Sequence, residues 1–468
     1  MCKDFCRNHR YTRRQLVRTG SKGIVGASMT GALLTTPWAR PARAMQDPAQ
    51  VTWWTEPDDL EFKQALVIDQ FQQEHPDIEI VMEAISGEDR DRVIATALQA
   101  GAGPDIVPSS GPAHAGTLAQ AGLLLDLDDY ASEFGWDETL LPWALETGRL
   151  GGTLYLLPNE FESTIMYYGE KQFDENGWSL PTNRQEFEDL ATEAAGQGLV
   201  PVAMGTGDCS LCTNWLVTIF FNHYAGPDAV YQALTGEIPF SDPIFVEAIE
   251  LLNQYMQAGW LGGSVERYFS TSFDSVHTQL AEGSALMTME GTWFLTALND
   301  FFGPDAGNDN VWGWAQNPSF RDEIPYPLFP IGIGSTLSIA SASEHPDAAA
   351  QFLDWYYSDP ARVAQRITEG GSRFTLAIPY EESDFPETID PRVKDLVTTL
   401  SSATASGDFG YVAWTFWPPT THVYLHDEIQ RVFTNELSPA DYCQGMAELF
   451  TEELAAGVVP AAIPRDVA

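Results

Sequence analysis

Flat aromatic rings set beside carboxylates can hold a ligand without breaking a bond. An indole face covers apolar C–H groups, and a carboxylate accepts hydrogen bonds from hydroxyls at a ligand's edge. The chain has 14 tryptophans, several in stretches that read as strand ends and loops. Trp53 and Trp54 close the first expected strand, at the carboxyl edge where open α/β sheets bind ligands, and Glu56 follows in the loop. Ser109 and Ser110 end the third expected strand, within reach of a ligand hydroxyl. Trp215 follows a cysteine pair, and Trp414 and Trp417 stand in the proline- and aromatic-rich run Tyr411–Pro419. Arg373, after Gly370-Gly371-Ser372, is a lone cation in a glycine-rich loop.

Bond-making chemistry has less to stand on. There is no Gly-x-Ser-x-Gly elbow, phosphate loop or zinc-protease motif. His422 and His426 fall four apart on one helix face, but no good third ligand accompanies them, so no metal site is expected. Cys209 and Cys212 have redox-motif spacing without a thioredoxin-like strand and helix around them. A structural disulfide is the better reading, with Cys443 as a further thiol. No cofactor is expected.

The elements that must position these residues alternate. Gln50–Glu56 reads as a strand, Leu60–His75 as a helix ended by Pro76, and Ile78–Met82 as a strand. Arg90–Ala100 reads as a helix ended by Gly101-Ala-Gly103-Pro104, and Asp105–Pro108 as a third strand. That order implies a parallel sheet with helices on both faces. Further on, Thr153–Pro158 and Ser284–Met289 read as strands, and Phe245–Gly259 and Pro346–Ser358 as amphipathic helices.

At 468 residues the chain is long enough for two domains. It holds 24 Lys and Arg against 66 Asp and Glu, a net charge of −42. Nine of the basic residues and one acid fall in the first 44 positions, so the remainder carries 15 basic against 65 acidic residues, a net of −50. Nucleic acid, which needs a basic face, is excluded as a partner. Such self-repulsion is relieved by salt screening and points to a high-salt habitat. The basic start, with the twin arginine Arg13-Arg14, an apolar stretch over 23–37 and Ala42-Arg43-Ala44, reads as a twin-arginine signal peptide spanning 1–44. The rest is expected to be soluble and exported, periplasmic or extracellular, and monomeric.

Four ordered segments carry a resemblance to a known family: Phe71–Ile80 leading through Ala97–Val107 to Leu118–Asp128; Gly152–Pro158 with Met166–Phe173; Leu280–Trp293; and Ile339–Leu353. With these the chain resembles the extracellular solute-binding proteins of family 1, the carbohydrate-type receptors of ABC importers. The resemblance implies an α/β, two-lobed periplasmic-binding-protein-like fold of type II, each lobe a mainly parallel sheet flanked by helices, with a hinge between them. It implies an N-terminal lobe of residues 45–157 and 313–360 and a C-terminal lobe of 158–312 and 361–468, with crossovers near Leu157–Phe161, Trp312–Pro318 and residues 358–366. It places Glu162 in the cleft beside a crossover and Trp293 at a stacking position. It further implies capture of a sugar or oligosaccharide and its delivery to an ABC membrane permease, without catalysis. A receptor for another solute such as a polyamine, a secreted glycoside hydrolase and a non-transport lectin are the alternatives left open.

Overall fold

The computed structural model describes residues 48–85, 90–209, 212–371 and 375–465. The twin-arginine segment and Arg373 lie outside them. Eleven strands are present among the described residues: β1 Ala49–Thr55, β2 Ile78–Ala84, β3 Ile106–Ser109, β4 Arg149–Leu150, β5 Thr153–Leu154, β6 Leu157–Gly169, β7 Val200–Val202, β8 Ala285–Gly291, β9 Trp312–Ala315, β10 Phe329–Ile339 and β11 Phe409–Tyr411. Nine form one sheet path, β2-β1-β3-β10-β6-β8-β7, with β11 beside β10 and β9 beside β6; β4 and β5 make a separate hairpin.

The two ends of that path are parallel, β1 with β2 and β3 at one, β7 with β8 at the other. Between them run two long strands. β6, 13 residues long, pairs antiparallel with β10 through its first half and with β8 and β9 through its second. β10 pairs with β11 at its start and with β3 at its end. β6 and β10 are therefore the two crossings that tie the halves of the molecule together.

Each half has its own core. In β1, Val51, Trp53 and Thr55 are buried on one face as the two-residue strand period requires, and Trp54 takes the other. Val51 and Trp53 join Phe71, Phe352, Tyr356, Val363 and Ile367 in the first core. The second core collects Ile165, Phe220, Ile249, Leu252, Met289, Phe294, Leu425 and Phe450.

The strands that join the two halves are β6 and β10, and neither Trp312–Pro318 nor residues 358–366 is among them. β9 pairs only with the far half of β6, and Trp312 packs in the second core. The second crossing is β10, Phe329–Ile339, rather than Trp312–Pro318. The helix Pro360–Gly370 stays in the first core through Val363, Ala364 and Ile367. The passage between cores comes later, in the helix Pro391–Ser406, where Val397 faces the first core and Leu396, Leu400 and Ala403 the second. Among the described residues no helix is long and apolar enough to cross a membrane.

Candidate functional site

The crossing strands carry two carboxylates. In the β6–β10 register Gly332 lies opposite Glu162, Ile333 opposite Phe161 and Ser335 opposite Asn159. Glu160 and Gly334 are skipped, and Glu160 takes a φ of +51°. Left-handed backbone at a residue with a Cβ is unfavourable, by about 1–3 kcal/mol, and such positions gather at ligand sites. Asn159 holds the kink by donating from Nδ2 to Ser335 Oγ at 2.8 Å. The Glu162 carboxylate lies directly over Gly334, where a Cβ would overlap it. The glycine is what leaves room for the acid.

Glu160 and Glu162 are partly exposed as residues, while their carboxyls are hemmed in by protein. Loss of hydration raises the Glu160 pKa, with Lys63 and Arg90 pulling it down and Asp59 pushing it up. Glu162 is driven well above the usual carboxylate range, first by the same desolvation and then by the charge of Glu160. The Trp414 indole N–H is turned toward Glu162 and favours its charged form, but stays outside hydrogen-bonding geometry.

Trp414 is placed there by the short helix Ala413–Phe416, which sits on β10. Thr415 Oγ1 accepts from the Ile333 amide at 2.8 Å, and Val412 fills the space a side chain at Gly332 would need. Two further indoles continue the surface. Trp293 follows β8, its ring folded back over Gly291, where a Cβ would overlap it. Trp215 is in the first turn of the helix Thr213–Phe220, whose Thr213 hydroxyl donates to the His426 carbonyl at 3.1 Å. Ring centroids run Phe273–Trp215 5.6 Å, Trp215–Trp293 4.7 Å and Trp293–Trp414 5.6 Å. All three indoles are partly exposed. Cys209 and Cys212 are joined by a disulfide, with Cα atoms 5.7 Å apart, and pack with Trp215 and Phe273.

The first half contributes a polar cluster. Arg90 pairs with Glu56 and donates to Ser110 Oγ at 2.8 Å, and Ser110 Oγ donates to Asp91 at 2.5 Å. Lys63 donates to Thr55 Oγ1 at 2.7 Å and pairs with Asp59 at 3.0 Å. The two halves meet at Gly111, whose Cα faces the Trp414 carbonyl.

Four residues singled out in the sequence stand apart from this surface. Trp53 is buried in the first core against Phe352 and Tyr356, at 5.6 and 6.0 Å, with Lys63 over its ring. Strand alternation forces one of Trp53 and Trp54 inward, and it is Trp53. Trp54 donates to Glu83 on the neighbouring strand at 2.9 Å. Trp417 is buried in the second core, 5.1 Å from Phe240, in extended backbone just past the short helix that carries Trp414. Ser109 is buried and bonded to Thr336 at 2.7 Å, so its hydroxyl fastens β3 to β10. His422 bonds Asn214 at 2.9 Å, and His426 lies 3.0 Å from Asp427.

Glu160 was missed in the sequence. Its i, i+2 spacing from Glu162 in a strand was the available signal, since that spacing puts two side chains on one face. A separate hollow of about 740 Å³, bordered by Arg184, Glu188, Tyr224, Glu247 and Arg321, shares no residue with the aromatic surface. In it Arg184 pairs with Glu188 at 2.6 Å and Arg321 with Glu323 at 3.2 Å, and the Tyr224 hydroxyl donates to Glu247 at 3.1 Å.

Known proteins are similar to this chain. A maltotriose-binding protein of Pyrococcus abyssi is 26% identical over 336 residues, 68% of this chain and 64% of that one, so the match spans just under two thirds of that relative. A multiple sugar-binding protein of Streptococcus mutans is 21% identical over 75% of this chain and 80% of its own. The solved structure of a chitin oligosaccharide binding protein superposes with a TM-score of 0.72 at 20% identity, covering 88% of this chain and all of that one, and so shares the two-lobed fold. The family model for bacterial extracellular solute-binding proteins matches residues 53–363. The chain belongs to that family.

Proposed function

We propose that the chain is an extracytoplasmic receptor that captures a sugar or oligosaccharide between its two halves and delivers it to an ABC import permease. One observation carries the reading: the partly exposed array Trp215–Trp293–Trp414 ends on the Glu160 and Glu162 carboxylates, at the strands that join the halves. Indole faces cover the apolar faces of a sugar ring, and carboxylates take its hydroxyl protons. The relatives named for maltotriose and for multiple sugars support the ligand class. The polar cluster of Glu56, Arg90 and Ser110 supplies the opposing wall, and closure about β6 and β10 is a hinge motion. Export by the twin-arginine route, a monomeric state and adaptation to salt belong to the same reading.

The test is tryptophan fluorescence and thermal unfolding of the chain lacking residues 1–44, in molar salt, against a panel of mono- and oligosaccharides. Saturable quenching and a raised melting temperature with sugars recovered intact are expected, because a ligand that binds only the folded state stabilises it. Hydrolysed sugar would replace the receptor with a hydrolase, and a response to spermidine alone would replace sugar with a polyamine.

A further inference from the structure

Resting on the receptor reading, we propose that the preferred ligand is an amino sugar or an oligosaccharide bearing a protonated amine, held at Glu162 and Glu160 and against the Trp414 and Trp293 rings. The geometry is one of uncompensated negative charge. Glu162 and Glu160 are two residues apart on a crossing strand, and Glu162 is pressed onto the backbone at Gly334. The cations that act on Glu160 are Lys63 and Arg90, and both are committed elsewhere. Lys63 is paired with Asp59 and bonded to Thr55; Arg90 is paired with Glu56 and bonded to Ser110. Neither carboxylate forms an ion pair with them, and the donor turned toward Glu162 is a neutral indole N–H.

Closure over a neutral sugar would bury two like charges, which only the uptake of a proton could then cancel. A hydroxyl donates a proton to a carboxylate but cancels nothing. An ammonium group on the ring cancels one charge and donates up to three hydrogen bonds. It also brings a cation to the faces of indoles, the strongest cation–π partners among side chains. Loss of hydration raises both carboxyl pKa values, and the charge of Glu160 raises that of Glu162 further, a repulsion that such a ligand would relieve.

The experiment uses ligands matched in everything but one group: glucose, glucosamine and N-acetylglucosamine; galactose and galactosamine; and β-1,4 oligomers of glucose, glucosamine and N-acetylglucosamine, with maltotriose and spermidine as references. Affinities are measured by calorimetry at neutral pH on the chain lacking residues 1–44 and on Glu162→Gln and Glu160→Gln. The expected result is that an amine-bearing member binds at least tenfold more tightly than its hydroxyl and acetamido counterparts, about 1.4 kcal/mol, and that Glu162→Gln weakens the amine-bearing member more than those counterparts, so that the preference is lost. Equal or tighter binding of the hydroxyl or acetamido counterparts overturns the inference and leaves the receptor reading standing. A preference that survives both substitutions overturns it too. Spermidine binding as tightly as the amino sugar overturns the sugar part of the claim, and binding of no carbohydrate overturns the receptor reading itself.

Discussion

Substituting Gly334 by alanine separates the site from the fold more cleanly than removing any side chain. Gly334 is on β10 with no positive φ, so alanine fits its backbone. The added Cβ, however, would overlap the Glu162 carboxylate. What must give is the far end of a long side chain. Swinging it aside costs about 0.5–1.5 kcal/mol in an off-rotamer geometry, so the melting temperature should fall by a few degrees at most. Ligand binding fares worse, because the carboxylate leaves its place beside Trp414. A charge-assisted hydrogen bond contributes about 1.5–3 kcal/mol, so affinity should fall about 13- to 160-fold at 1.36 kcal/mol per decade. Calorimetric titration with the best sugar of the panel, paired with urea unfolding, measures both. An unchanged dissociation constant at unchanged stability would show that Glu162 does not touch the ligand. Loss of cooperative unfolding would show that the crossing cannot absorb a methyl group, and that the carboxylate is locked by more than Gly334.

Trp293→Ala should lose about 100 Å² of stacking surface and the aromatic term, together about 3–4 kcal/mol, or a few hundred-fold in affinity, with the fold still cooperative by circular dichroism. Trp417→Ala should do the reverse, costing about 3–5 kcal/mol of stability by emptying part of the second core while the folded fraction titrates normally; equal behaviour of the two variants would refute the placement of both rings. His223 is fully buried, with neither ring nitrogen bonded, and desolvation drives its pKa to about 3. An unfolded histidine takes its proton near 6.5, so between about 6.5 and 3 the unfolded state binds more protons. The contribution is therefore whole above about 6.5 and lost as pH falls, at about 1.4 kcal/mol per unit; urea unfolding of His223→Leu at pH 6, 5 and 4 should show a shallower slope than the parent. Cys443 is buried and its thiol is pushed up to about 12, so in the chain lacking residues 1–44 a disulfide-exchange reagent should find no thiol until urea unfolds it, and then find one.

The sequence yielded the fold through its ends and missed it in the middle. β1, β2 and β3 announce themselves by β-branched and aromatic residues between glycine and proline breaks, and the helices between them by their period. β10 did not, because Phe329-Pro-Ile-Gly-Ile-Gly-Ser carries a proline and two glycines, residues that ordinarily argue against a strand interior. In the folded chain Gly332 admits Val412 and Thr415, and Gly334 admits the Glu162 carboxylate. The residues that hid the strand are the ones the site requires. Trp53 and Trp417 illustrate a different loss. Residue type names an aromatic but not its direction. Direction was available in principle from the alternation Val51, Trp53, Thr55, whereas for Trp414 and Trp417 it depends on how a four-residue helix docks on β10.

The site divides its work between parts that move differently. On the proposed hinge, β6 and β10 are the pivot, and residues at a pivot shift least when the halves close. Glu160 and Glu162 are there, so their spacing is set before any ligand arrives. Trp215 and Trp293 extend from the second core, and Trp414 is fastened to β10 itself by Thr415. The carboxylates and the indoles thus form one preassembled surface, and preassembly lowers the ordering cost of binding. The Glu56–Arg90–Ser110 cluster belongs to the first half, and on the proposed hinge it is the wall that moves against the ligand. A ligand therefore meets the aromatic and acidic face first and recruits the other wall second. Substitutions at Trp293 or Glu162 should then weaken the initial encounter complex. Arg90→Ala should leave that encounter intact and act on the slower closing step, a difference that stopped-flow tryptophan fluorescence resolves as two phases with separate sensitivities. A single phase altered equally by all three would place every contact in one rigid pocket and remove closure from the account.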